Sequence, residues 1–271
     1  MAKRFLAALI LAAVGIPAIF LGKIPYFILI TVFLCITAWE YVNLFRAMKL
    51  SPSMGLTVGG VLLILVVRGF FADLAPAALA LVVLLAMAVH LIDYERGADH
   101  AATDFAVTVA GLVYVGWIGA YLLDLRTLGS SNDGAWYVLL TLGAMWLADA
   151  TAYFVGSAYG RHKMTPRLSP KKSWEGYWAG AVVGTLGTAG LAVLWHRLGG
   201  PDVSWWQGGL LGLVLSVVTT LGDLGESMIK RQAGLKDSSD IIPGHGGFFD
   251  RMDAWLWGAV IGYFLISWFM R

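Results

Sequence analysis

Asp223 and Glu226 stand three residues apart where an apolar run gives way to polar sequence, and Asp250 and Asp253 repeat that spacing ahead of the last apolar run. Carboxylates three apart share one face of a helix. Two such pairs on neighbouring helices would gather several oxygens around one or two divalent cations, and Mg²⁺ favours such ligands alongside waters and substrate phosphates. For Asp250 and Asp253 a second explanation is open, because acids at a helix start complement the macrodipole. It does not extend to Asp223 and Glu226, which lie where a span ends. Asp149, inside the run WLADATAYF, is a further candidate. A charge at that depth costs about 2.5–3.5 kcal/mol on insertion scales, so it should face a cavity or a partner. Glu40, in AWEYVNLF, raises the same question near a membrane end, and there a structural hydrogen bond or salt bridge explains it equally well.

Basic residues accompany these acids. Ser169-Pro170-Lys171-Lys172-Ser173 leads into an apolar run. Ser169 is expected as a helix N-cap with Pro170 at the first helical position, and a helix start bearing two lysines and two hydroxyls is a ready anion site. Topology or anionic lipid heads would account for Lys171 and Lys172 equally well. A second cluster, Lys230, Arg231, Lys236 and Arg251, is interleaved with acids. Cations beside carboxylates at one membrane face fit a site in which a metal joins acids to a polyphosphate. Pro243-Gly244-His245-Gly246-Gly247 is a glycine turn whose backbone N–H groups can approach a ligand closely. No Gly-Lys-Ser/Thr follows, so it is not a P-loop.

The elements that must position these groups are set by composition. The chain has 271 residues, 59% hydrophobic and 13% charged, whereas a soluble domain has about 45–50% and about 25%. Such a chain is neither a soluble globule nor disordered. Its single cysteine, Cys35, rules out an intramolecular disulfide. A span needs about 20 apolar residues, and runs of about that length occupy 5–21, 24–45, 55–72, 74–92, 105–125, 135–153, 176–195, 205–221 and 254–270. Continuous runs favour helices over a barrel. The expected fold is an all-α polytopic membrane protein of about nine transmembrane helices. It forms one catalytic domain over 1–271, with N-terminal helices over about 1–130 and a polar catalytic half over about 135–271. Lys3 and Arg4 before the first run look like a signal peptide, but the run is long and lacks a small-residue cleavage site, so it is expected to stay. With the N-terminus cytoplasmic, Lys23, Arg68, Arg126, Arg197 and Arg271 fall outside, and the other fourteen of the 19 Lys and Arg fall inside, as the positive-inside rule requires. The polar segments 156–175 and 222–253 then share the cytoplasmic face.

The run Ser227-Met-Ile-Lys230-Arg231, then Lys236-Asp237, Pro243-Gly-His245-Gly-Gly and Asp250-Arg251-x-Asp253 closely resembles the signature of the phosphatidate cytidylyltransferases, or CDP-diacylglycerol synthases. GDLGES before it and SPKKSWEG upstream look like that family's other polar elements, and the resemblance covers most of the chain. It implies synthesis of CDP-diacylglycerol from CTP and phosphatidic acid, release of pyrophosphate, and dependence on Mg²⁺, with a second monovalent or divalent cation as an option. The expected catalytic residues are Asp223, Asp250, Lys172, Lys230 and Arg251; Asp223 and Asp250 are the expected principal metal ligands, Asp253 supports them, and Asp149 is a further candidate ligand. Lys171, Lys172, Lys230, Arg231, Lys236 and Arg251 hold phosphates, and Ser169, Ser173, Asp237 and His245 complete substrate binding.

Two rival readings follow from the same residues. A CTP-dependent lipid-alcohol kinase, as for dolichol or phytol, would release CDP, and the long signature speaks against it. A transporter would show internal repeats or broken helices around a midplane site, whereas here the polar residues crowd one face. The expected partners are CTP, phosphatidic acid and membrane lipids, with no nucleic acid. Small-residue helix faces fit a homodimer. The expected setting is a bacterial inner membrane with the site facing the cytoplasm.

Overall fold

A chain in lipid must satisfy its backbone N–H and C=O groups internally, so the apolar runs fold as helices. The computed structural model describes residues 2–130, 132–242 and 246–270. Helices α1 (Ala2–Leu21), α2 (Lys23–Ala47), α3 (Met54–Phe70) and α4 (Ala75–Glu95) come first. Helix α5 (Ala101–Gly111) continues through a π-helical stretch, Leu112–Trp117, and is followed by the short α6 (Tyr121–Arg126). Then come α7 (Asp133–Tyr159), a hairpin of β1 (Lys163–Thr165) and β2 (Ser169–Ser173), α8 (Trp174–Arg197), α9 (Trp205–Val218), α10 (Thr220–Gln232) and α11 (Phe249–Phe269).

Seven helical segments are long and apolar enough to cross a bilayer: Lys23–Ala47, Ala72–Glu95, Ala101–Arg126, Asp133–Tyr159, Trp174–Arg197, Trp205–Gln232 and Phe249–Phe269. The protein is therefore an all-α, multi-pass membrane protein. The remaining two of the nine expected spans are shorter apolar helices. Met54–Phe70 has 17 residues, about 25 Å at 1.5 Å per residue, against a hydrocarbon core of about 30 Å. The described apolar part of the first helix is Ala12–Leu21.

The chain packs as two units, one of Met1–Leu123 with Ile229–Met252, the other of Asp124–Met228 with Asp253–Arg271. The polar segment after α10 thus belongs with the N-terminal helices. In the first unit α2 turns a buried stripe inward, Tyr26, Ile30, Leu34, Ala38 and Tyr41 at helical spacing. Ile64, Val82 and Leu112 form a buried cluster in the same unit. In the second unit, helices approach through small residues. On α8, Gly176 and Gly180 lie against the backbone carbonyls of Ala152 and Ala148, and Gly184 lies against Ser216. On α9, Gly208 and Gly212 meet the carbonyls of Thr188 and Gly184. Small residues let backbones this close gain dispersion contacts where lipid offers no hydrophobic drive.

The entry to α8 differs from the expectation. Ser169 is the first residue of β2 and Pro170 lies within that strand, while the N-cap is Ser173, whose hydroxyl accepts from the Gly176 N–H at 3.3 Å. The cause is pairing with β1: Lys163 faces Ser173, Thr165 faces Ser169, and the Trp174 N–H donates to His162 O at 3.0 Å. The Leu168 N–H closes a turn onto Thr165 O at 3.2 Å, with Pro166 at the position where a fixed φ favours a β-turn. Pro170 lacks a donor, which a two-stranded ribbon tolerates because both strands are edges.

The start of α11 is fixed from a distance. Glu40 on α2 is fully buried and takes four hydrogen bonds: from the Phe248 N–H at 3.0 Å, the Phe249 N–H at 2.6 Å, Ser238 Oγ at 3.0 Å and Ser239 Oγ at 2.5 Å. It therefore does for α11 what a local N-cap would do. Phe249 is fully buried with its ring 6.2 Å from Tyr41, and the Phe248 ring lies 4.9 Å from Phe33. Glu40→Ala strands two backbone N–H groups at about 1–3 kcal/mol each. It should lower the unfolding temperature in detergent and speed amide exchange at Phe248 and Phe249; unchanged protection there would refute the capping role.

Candidate active site

Three carboxylates converge in the second unit. One oxygen each from Asp223, Glu226 and Asp253 lies within 4.8 Å of the others. Asp223 is in the first turn of α10 and Glu226 sits one turn on, so the helix alone aligns that pair. Asp253 comes from α11, brought close by Gly222. A Cβ there would press on the Asp253 carbonyl and the Trp257 ring, so only glycine lets the backbones of α10 and α11 touch at this level. Ser227 Oγ donates to Asp223 Oδ1 at 3.3 Å. Glu226 is 2% exposed, whereas the Asp223 side chain is 42% exposed, so the group has a wet side and a buried side. Its donors are all oxygen, which suits a hard divalent cation such as Mg²⁺.

Lys172 completes the group. Its Nζ lies 2.8 Å from Asp223 Oδ2. The strand places it: Lys171 is exposed, Lys172 is half-buried and Ser173 is buried as the cap. At the foot of the hairpin, Glu175 accepts the His162 N–H at 3.1 Å and lies 2.6 Å from His162 Nδ1.

A second polar cluster lies within the first unit. Asp250 Oδ1 accepts Lys230 Nζ at 2.5 Å, and both side chains are nearly buried. Asp250 Oδ2 accepts the Ser238 N–H at 2.8 Å, Ser238 Oγ at 2.7 Å and the Gly247 N–H at 2.8 Å. Ionised carboxylates offer about four acceptor sites, so these bonds saturate one oxygen. Gly246, at φ +78°, packs where a Cβ would meet the Asp250 carboxyl, and its carbonyl accepts from Ile242 N–H at 2.9 Å.

The expected residues thus separate. Asp223, Asp253 and Lys172 come together with Glu226, an acid whose pairing with Asp223 was visible in the sequence but which was not carried into the expected ligand set. Asp250 instead holds Lys230, Ser238 and Gly247. Asp149 is exposed on α7. Ser169 is half-buried; Lys171, Arg231, Lys236, Asp237 and Arg251 are exposed, with Arg231 Nη1 donating to Leu235 O at 3.5 Å. His245 lies outside the described residues. Sequence reasoning passed over Ser238 and Ser239, whose local signal is a Ser-Ser pair between two acids, Asp237 and Asp240.

A family model described as the Cytidylyltransferase family matches residues 2–269. The phosphatidate cytidylyltransferase of Bacillus subtilis (strain 168) is 30% identical over 273 residues, 99% of this chain and 98% of that protein. The protein of the same name from Mycobacterium leprae (strain TN) is 29% identical over 282 residues, covering 98% of this chain and 89% of its own length. Another so named, from Brucella abortus biovar 1 (strain 9-941), is 40% identical over 154 residues, 57% of this chain and 54% of its own. With the match running nearly end to end through helices, hairpin and both polar clusters, the chain belongs to the cytidylyltransferase family.

Proposed function

We propose that this protein transfers the cytidylyl group of CTP to phosphatidic acid, giving CDP-diacylglycerol and pyrophosphate at the cytoplasmic face of a bacterial inner membrane. The observation that carries the reading is the meeting of Asp223, Glu226 and Asp253 with Lys172 at the ends of apolar helices. Family membership and the names of the full-length relatives support the substrates. In the reaction a phosphate oxygen of phosphatidate bonds to the α-phosphorus of CTP while the bond to the bridging oxygen of the β-phosphate breaks, and pyrophosphate leaves. The nucleophile is already anionic near neutral pH, so no strong general base is needed. The barrier lies in bringing polyanions together and holding charge on the leaving group.

Asp223, Glu226 and Asp253 would hold Mg²⁺, which when bound offsets triphosphate charge and draws its oxygens to the carboxylates. Lys172, adjacent to Asp223, would be handed to a phosphate oxygen as the nucleotide enters. Asp250 positions Lys230, Ser238 and Gly247, and the exposed Lys171, Arg231, Lys236 and Arg251 supply positive charge for phosphates. Ser169, Asp237 and His245 remain assigned to substrate contact, and Ser173 orients the strand that carries Lys172.

Incubation with α-labelled CTP and phosphatidate decides the reaction: label enters lipid only in cytidylyl transfer, whereas a lipid-alcohol kinase leaves it in CDP. Asp223→Asn, Glu226→Gln and Asp253→Asn should each cut label transfer by about 100-fold or more, comparable with losing a preorganised electrostatic group. Glu226→Gln should also raise the Mg²⁺ concentration needed, at unchanged protein level in the membrane. Near-normal activity of any of the three across a Mg²⁺ titration would remove that residue from the ligand set. Lys172→Gln should behave oppositely toward the metal. Turnover should fall about ten-fold or more while the Mg²⁺ requirement stays level or drops, because Asp223 loses a competing cation. A raised Mg²⁺ requirement in that variant would mean that Lys172 only supports the acids structurally.

A further inference from the structure

The hairpin between α7 and α8 carries more positive charge than the three-carboxylate group uses. Arg161, Lys163, Arg167 and Lys171 are exposed, and none has an ion pair among the described residues. Lys172 is taken by Asp223, and the one acid at the hairpin, Glu175, is taken by His162. The helix ends flanking this ribbon are ringed by exposed aromatics. Tyr153, Phe154 and Tyr159 on α7 are 71%, 67% and 73% exposed, and Trp174 and Trp178 on α8 are 43% and 57% exposed. Tyrosine and tryptophan on the outside of membrane helices mark the headgroup level. Trp174 and Trp178 are one turn apart, and the Trp174 N–H is bonded to the hairpin at His162 O, so the ribbon begins where the aromatic ring ends.

We infer that the β1–β2 hairpin lies in the headgroup layer and binds anionic phospholipid through Arg161, Lys163 and Arg167, concentrating the lipid substrate beside Lys172. The charge complementarity is direct: cations held at the surface of a leaflet containing anionic lipid are attracted within a Debye length of it. Rigidity adds to this. Turn and ladder bonds fix the ribbon and Ser173 anchors it to α8, so little ordering accompanies binding. Lys171 and Lys172 sit on the same ribbon, two and one residues before the cap, so a phosphate held by the outer cations is close to the residues assigned to substrate. The link to turnover rests on the cytidylyl-transfer reading; the binding itself does not.

The test uses the full chain in phosphatidylcholine nanodiscs carrying a trace of photoactivatable phosphatidylglycerol, phosphatidate or phosphatidylcholine. Peptide mapping then reads labelling over residues 160–173. Both anionic probes should label the hairpin about five-fold or more above phosphatidylcholine, a preference in line with cationic attraction at a charged leaflet. The combined variant Arg161→Gln, Lys163→Gln, Arg167→Gln should lose that preference while labelling elsewhere is unchanged. Equal labelling by phosphatidylcholine, or a preference that survives in the variant, overturns the inference. Displacement of the anionic probes by millimolar glycerol 3-phosphate also overturns it, since the site would then be one for soluble phosphates. In mixed micelles the variant should raise the apparent KM for phosphatidate about five-fold, leaving kcat and the KM for CTP unchanged; an unchanged KM for phosphatidate overturns the proposed concentration of substrate. If wild-type protein moved no label from CTP to phosphatidate, the activity reading would fail and the labelling result would still decide the hairpin's role.

Discussion

The start of α11 in the first unit depends on one buried carboxylate. Glu40 lies on an apolar helix with no exposure, where an unpaired charge would be severely penalised. Its four hydrogen bonds come from residues about 200 positions away in sequence: two serine hydroxyls and the first N–H groups of α11. The exchange is mutual. The carboxylate replaces its lost hydration, and α11 gains the anion that its N-terminus favours. Because Ser238 also donates to Asp250 Oδ2, the two carboxylates share a hydroxyl and order the same segment. Gly247 completes the arrangement, since a side chain there would occupy the space between Ser238 and Glu40.

Much of this was legible in the sequence, and most of what was not rests on contacts between residues far apart in the chain. Apolar runs announced the helices because lipid leaves no other solution for the backbone, and the i,i+3 spacing of Asp223 and Glu226 required only helix geometry. What sequence could not show was contact across long separations. Glu40 read equally well as a structural or a functional acid because its partners lie on the far side of the chain. Asp250 and Asp253 read as one pair, yet each is held by different neighbours. The hairpin was missed although its signal was present: Pro166 at a turn position, with a short polar stretch on either side. Ser169-Pro170 mimics the start of a helix, and strand pairing outcompeted it because Ser173 provides a better cap directly before the helical residues.

The span count shows the same limit from another direction. Met54–Phe70 is apolar apart from Thr57 and Arg68, and its 17 residues fall short of a typical hydrocarbon thickness. Arg68, near its C-terminal end, lies over the Trp117 and Tyr121 rings at 4.6 and 4.2 Å. A cation so placed is held by aromatic faces at the level where a short helix meets the interface. Local thinning of the bilayer or tilt of neighbours accommodates such a helix at modest cost. Hydrophobicity alone therefore counts apolar helices; length decides which of them cross unaided.

The three-carboxylate group links charge to packing. Oxygens of Asp223, Glu226 and Asp253 gathered within 4.8 Å repel one another when ionised, by about 3 kcal/mol per pair at an effective dielectric near 20. Lys172 offsets part of this at Asp223, where water also screens, whereas Glu226, 2% exposed, is largely shielded from water. Gly222 meanwhile keeps α10 and α11 in backbone contact one residue from Asp223, so the helices cannot relieve the repulsion by drifting apart without losing that contact. A divalent cation held by these acids would remove the repulsion and tighten the same seam, since a ligand that binds the folded state stabilises it. Charge and packing are thus opposed at this seam, with the Lys172–Asp223 ion pair at 2.8 Å offsetting part of the repulsion.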